Sequence, residues 1–281
     1  PGIIGNTSGN SAFVWIGVNS PSTFMLTISS TSTVGFAYVR FENIGFTCAA
    51  GVAQFASGLQ IKRGTWIRTS DIKTLRCNIG VQIIDTLSST FINIKSYLDN
   101  YGFISVGYPA SADAANRSNN ANTFIGCTIA SSRLGGFSYA DGDFIYEGGS
   151  IEGCGQYGSG GSGYGAYVTS NEEGMGAIKF KGVYFEANGT TGNLGANANT
   201  ADIWIDHATV SDNITYLVEG CTFNRMSANY SPHCIYVNKT SNTGCNLIEI
   251  GNEYTNLAGY TPSASRKYVR LTSTNGTPTN T

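Results

Sequence analysis

The chain has 281 residues, 41% of them hydrophobic and only 12% charged, with 36 glycines, 6 prolines and a formal net charge of −2. This length can bury a sizeable core, and an apolar share spread in short runs excludes a disordered chain. The near-zero charge, without a basic cluster, excludes a phosphate-tracking nucleic-acid binder. No apolar run approaches the ~18 residues of a membrane span, so no membrane insertion is expected. The abundance of Gly, Asn and β-branched residues argues against long helices. Seven cysteines (Cys48, Cys77, Cys127, Cys154, Cys221, Cys234, Cys245) include no C-x-x-C pair. They read as small buried hydrophobes of a protein folded in a reducing compartment rather than as a zinc site. No cofactor is expected.

In chain order, one phrase recurs: an apolar residue, a spacer, Gly or Asn, two more residues, then an apolar or aromatic one. It reads FENIGF (41–46), FIGCTI (124–129), YEGGSI (146–151), FKGVYF (180–185) and VEGCTF (218–223), with looser copies IKTLRC (72–77), INIKSY (92–97) and EIGNEY (249–254). A second phrase falls between successive copies, a short alternating strand: GLQIK, GVQII, GFISV, GFSYA, GAYVT, DIWID, CIYVN and YVRLT, starting at 58, 80, 102, 136, 165, 202, 234 and 268. The steps run from 22 to 37 residues. The shortest read as minimal coils and the longer ones as coils carrying a corner loop. One two-strand unit repeated in one order predicts a chain winding in a single direction, a parallel β-solenoid.

These phrases, with their Gly and Asn corners, resemble the right-handed parallel β-helix of the pectate-lyase superfamily, and within it the central domain of bacteriophage tailspikes and capsule depolymerases. The resemblance covers roughly residues 36–273. It implies an all-β, right-handed, single-stranded parallel β-helix of about eight coils, with 1–281 as one domain excised from a longer tailspike. It also implies a homotrimer in a virion tail, folded in the bacterial host cytoplasm, whose partner is a bacterial capsular polysaccharide or O-antigen.

Within a solenoid, equivalent positions of successive coils stack at about 4.8 Å, and alternate side chains face core and surface. The inward column of the second phrase is Leu59, Val81, Phe103, Phe137, Ala166, Ile203, Ile235 and Val269; its outward neighbour is Gln60, Gln82, Ile104, Ser138, Tyr167, Trp204, Tyr236 and Arg270. Tyr167, Trp204 and Tyr236 are thus expected to form an outer aromatic ladder that is covered by another subunit, stacked on sugar rings, or covered by a loop of the chain itself. In the first phrase an outward column of Glu42, Lys73, Asn93, Ile125, Glu147, Lys181 and Glu219 ends in charges of alternating sign, a structural ladder. One place past the final apolar residue stand Thr47, Leu98, Ala130, Glu152, Glu186, Asn224 and Thr255. Glu152 and Glu186 should therefore be adjacent rungs. Like charges stacked without a cation between them oppose folding, whereas paired carboxylates serve glycoside hydrolysis, one as acid and one as base or nucleophile.

Other acids compete for that role. Asp141 and Asp143 lie on one corner, Glu172 and Glu173 on the matching corner a coil later, and Asp206 ends the strand after that, next to His207, which beside Asp206 and Trp204 is expected to contact substrate. They are candidates for the catalytic face, for calcium ligation, or for polar turn residues. Two classes of function stay open: an endoglycosidase, with a polysaccharide lyase as its close variant, and a β-helix that only binds glycan or forms a fibre stem.

Overall fold

The computed structural model describes residues 2–4, 12–15, 20–30, 35–49, 56–106, 119–140, 142–156, 163–169, 177–189, 200–207, 214–224, 233–240, 244–255 and 267–273. Among these there is no helix, and every strand pairing is parallel. The chain is a right-handed parallel β-helix.

Each full coil has three faces. The first is built of strands Thr90–Ile92, Asn122–Ile125, Phe144–Glu147, Ala177–Lys181, Ile214–Glu219 and Cys245–Ile250. The second is built of Lys95–Tyr97, Thr128–Ala130, Ser150–Glu152, Tyr184–Glu186, Thr222–Asn224 and Glu253–Thr255. In the earliest coils the long strands Arg40–Cys48 and Arg68–Leu75 run through both. The third face has nine strands, from Phe24–Ser29 to Lys267–Ser273. Its eight predicted strands pair in the predicted register, and Phe24–Ser29 adds one coil that the phrase search did not catch.

The bend between the first and second faces explains the Gly or Asn of the repeating phrase. One residue per coil takes a left-handed backbone there: Asn43 (φ 54°), Asp71 (φ 56°), Asn93 (φ 52°), then Gly126, Gly148, Gly182, Gly220 and Gly251 (φ 60° to 63°). Gly takes this conformation freely, and Asn and Asp tolerate it. From Asn93 to Gly220 the bend N–H donates to a carbonyl of the next coil, as Gly126 does to Glu147 and Gly148 to Lys181, at 2.8 Å in both cases. Gly149 has a stricter reason to be glycine, since a Cβ there would lie 1.9 Å from the Cys127 carbonyl oxygen.

The bend corrects three register assignments, those of Lys73, Asn93 and Leu98. With Asp71 at the bend, Ser70 rather than Lys73 stacks on Glu42, and Lys73 faces outward from the second face beside Gly45 and Lys95. Asn93 is itself a bend residue, so Ile92 takes the outward place, and Tyr97 rather than Leu98 precedes Ala130. A slip of one residue along a strand moves a side chain to the opposite face. The alternating ladder is as expected: Glu147, Lys181 and Glu219 are successive rungs, with Lys181 Nζ 3.2 Å from Glu219 Oε2.

Inside, stacked columns form one continuous core. Phe91 lies on Phe124 with ring centroids 4.9 Å apart, Phe103 on Phe137 at 5.3 Å, and Phe185, Phe223 and Tyr254 make a parallel stack at 5.1 and 5.2 Å. Each fully buried Phe contributes about 1.5–3 kcal/mol of transfer free energy. Six of the seven cysteines are buried and none is in a disulfide. Burial pushes the Cys127 and Cys154 thiols up to about 12, so they act as protonated packing groups.

Candidate functional site

The outward side of the second face carries the clearest concentration of chemistry. Its short strands present two outward residues each, and these stack into two columns. One reads Lys73, Lys95, Thr128, Ser150, Tyr184, Thr222; the other reads Leu75, Tyr97, Ala130, Glu152, Glu186, Asn224. Glu152 and Glu186 are therefore direct neighbours across one ladder step, about 4.8 Å apart at the backbone. The expected adjacency holds.

The two carboxylates differ in surroundings. Tyr184, two residues before Glu186 and on the same face, donates its phenol hydrogen to Glu186 Oε2 in a very short hydrogen bond. Asn224 Nδ2 in turn donates to the Tyr184 oxygen at 2.6 Å. Partial burial, and then the bond to Glu186, push the Tyr184 phenol up, so it keeps its proton and acts as donor. Glu152 makes no side-chain hydrogen bond or ion pair among the described residues. The order Asn224 to Tyr184 to Glu186 thus fixes one member of the pair in a hydrogen-bonded chain and leaves the other outside it. Sequence reasoning found both glutamates and missed Tyr184, although its place two residues before Glu186 puts it on the same outward face.

The other candidates lie elsewhere. Asp141, Glu172 and Glu173 fall outside the described residues. Asp143 immediately precedes the first-face strand Phe144–Glu147, and its Oδ1 accepts the Ala177 backbone N–H at 3.0 Å, an arrangement that ties two coils together. Asp206 belongs to the third face. Its carboxylate accepts the Tyr167 hydroxyl at 3.1 Å and the Asn238 amide at 3.0 Å. His207 points inward: it is fully buried, with Nδ1 3.0 Å from the Tyr216 hydroxyl. Its burial corrects the expectation that it contacts substrate, because the strand alternation that turns Asp206 out turns His207 in. Among the described residues no group of three or more His, Cys, Asp or Glu is gathered that could hold a metal ion.

Tyr167, Trp204 and Tyr236 stack as predicted, with centroids 5.0 and 6.0 Å apart, and Tyr164 extends the row at 5.2 Å from Tyr167. The row is less open than expected. Tyr236 is only 5% exposed and lies against His233 at 5.7 Å. Tyr167 and Trp204 are half-buried. This band occupies the third face and the glutamate pair the second, so the two candidate surfaces sit on either side of a corner.

No family model and no curated protein matches the chain. Among solved structures it is similar to the gp42 tailspike of Acinetobacter phage vb_AbaP_AS12, at 12% identity over 84% of this chain and 45% of that one, with a TM-score of 0.46. It is also similar to the DFA-IIIase of Arthrobacter chlorophenolicus A6, at 8% identity over 85% of this chain and 67% of that one, with a TM-score of 0.38. The chain thus spans less than half the length of the tailspike it matches.

Proposed function

We propose that this chain binds a bacterial surface polysaccharide and hydrolyses it, with Glu152 and Glu186 as the catalytic pair. The observation that carries the reading is the stacking of two like-charged residues on adjacent coils of the second face with no cation between them, whereas the charge ladder of the first face alternates in sign. Glycoside hydrolysis uses such a pair: one carboxyl protonates the leaving oxygen, and the other acts as base or nucleophile on the opposite side of the sugar. In this reading Glu186, which accepts the phenol hydrogen bond, serves as base or nucleophile, and Glu152 as the proton donor. Tyr184 is a positioning residue, holding the Glu186 carboxylate in one orientation and itself held by Asn224. The same reading makes the chain one protomer of a homotrimeric phage tailspike, with capsular polysaccharide or O-antigen as its partner and the virion tail as its place.

The test uses Glu152→Gln and Glu186→Gln beside the wild type, spotted on lawns of encapsulated and O-antigen-bearing bacteria, with released oligosaccharides weighed by mass spectrometry. Both variants should fold and lose cleavage by at least about 100-fold. Tyr184→Phe should lower kcat about tenfold with little change in KM, because it removes orientation rather than binding. Products bearing an unsaturated uronate would replace hydrolysis with lyase chemistry. Unaltered cleavage in both glutamine variants would move the chemistry off this ladder, and no cleavage by the wild type would favour the glycan-binding stem.

A further inference from the structure

Four coils of the second face beside the glutamate pair contain a feature that hydrolysis alone does not use. The outward column that reaches Ser150 and Tyr184 begins at Ala12 and Gly45 and then carries Lys73 and Lys95 on adjacent coils. Ala12 and Gly45 bring nothing larger than a methyl group, so the surface sinks next to the lysines. The bend residues Asn43, Asp71 and Asn93 line the same depression, an open cleft of about 390 Å³.

The charge pattern of this cleft is unusual for the molecule. Lys73 and Lys95 are exposed direct neighbours, and neither makes an ion pair among the described residues. Stacked like charges oppose folding, and Lys181 shows the ordinary solution, a place between two glutamates. The one acid lining the cleft, Asp71, already accepts the Asn93 amide at 2.5 Å through Oδ1. On the neighbouring column Leu75 and the half-buried Tyr97 flank the lysines. Two cations and the side-chain amides of Asn43 and Asn93 in one depression, with Tyr97 beside it rather than in it, suit a sugar ring that carries an anionic substituent.

We propose that this cleft is a subsite for an acidic sugar, a uronate or other carboxylated pyranose, belonging to the polysaccharide whose cleavage was assigned above to Glu152 and Glu186; the assignment of a polysaccharide ligand rests on that reading. Lys95 and Ser150 lie two coils apart, roughly 10 Å at ~4.8 Å per coil. The rung between them carries only Thr128 and Ala130, so no bulky side chain blocks a chain laid along the helix axis. The polarity also separates the two positions. An anionic residue is attracted to the lysines and repelled by the paired carboxylates, so the cleaved bond lies in a neutral stretch of the repeat, offset from the acidic residue.

The test reads binding directly and needs no cleavage, so it stands or falls apart from the hydrolase reading. The whole chain is labelled by reductive ¹³C-methylation, which keeps every lysine charged, and the Lys73 and Lys95 signals are assigned from Lys73→Arg and Lys95→Arg. Glucuronate, galacturonate and N-acetylneuraminate are titrated beside methyl glucoside and inorganic phosphate. At least one acidic sugar should shift the Lys73 and Lys95 signals together, saturably and with one Kd, while the other lysines stay still. Lys73→Gln should weaken the binding that Lys95 reports by about tenfold. An equal response to methyl glucoside, an equal response to phosphate, a common drift of all lysines, or no saturable shift with any acidic sugar would each overturn the proposal.

Discussion

Asp99 offers a quantitative test of the solenoid interior. It is fully buried just past the corner between the second and third faces, and its carboxyl accepts three hydrogen bonds of 2.6 Å, from the Ser96 and Thr74 hydroxyls and the Cys77 backbone N–H. Desolvation outweighs these donors and pushes the carboxyl up to about 7 from its ordinary 3.8. In the unfolded chain the group loses its proton near 4, and in the folded chain near 7. The folded state therefore binds the extra proton, and the stability this confers is complete below about pH 4 and is lost as pH rises through 7. At 1.36 kcal/mol per unit, the three-unit span corresponds to about 4 kcal/mol. Asp99→Asn removes the titration while keeping an acceptor for Cys77. The same column already uses an amide in this way, where Asn188 Oδ1 accepts the Cys154 N–H at 3.0 Å. Equilibrium guanidinium unfolding, followed by tryptophan fluorescence at about pH 4 and about pH 8, should show the wild type losing about 4 kcal/mol more than the variant. Superimposable pH dependences, or a variant less stable than wild type at the higher pH, would refute this account of the corner.

Two further outcomes follow from the backbone and the core. Gly149→Ala should prevent accumulation of folded protein, because its Cβ would collide with the Cys127 carbonyl; Gly126→Ala, with the same handedness but open space around it, should cost only about 1–2 kcal/mol in chemical denaturation. Phe124→Ala removes a ring packed between Phe91, Phe103, Phe137 and Tyr146 and should cost about 3–5 kcal/mol, read as a lowered denaturation midpoint with unchanged slope.

Much of this was legible in the sequence. In the second phrase, apolar and outward residues alternate with period two, usually after an opening Gly, and all eight strands fell into register from that pattern alone. The first phrase was legible wherever Gly marks the bend, which is why Glu152, Glu186 and the Glu147–Lys181–Glu219 ladder were found. It slipped where Asp71 and Asn93 take the left-handed position, since their letters do not announce a backbone conformation that they merely tolerate. That slip concealed the lysine pair. His207 was misread for a related reason: its neighbour Asp206 is polar and outward, and only strand alternation decides that the ring is packed inside.

The sequence by itself determined the architecture and the stacking order, because both are consequences of a repeated local pattern: side-chain alternation along a strand and one bend per coil. Only the tertiary structure decided what the repeated places do. Whether the aromatic row lies open or half-covered, that Asn224 holds Tyr184 against Glu186, and that two lysines border a depression left by Ala12 and Gly45 all depend on residues tens of positions apart. Their contacts arise from the coil lengths and the exact bend positions, and those quantities belong to the wound chain rather than to any one segment of it.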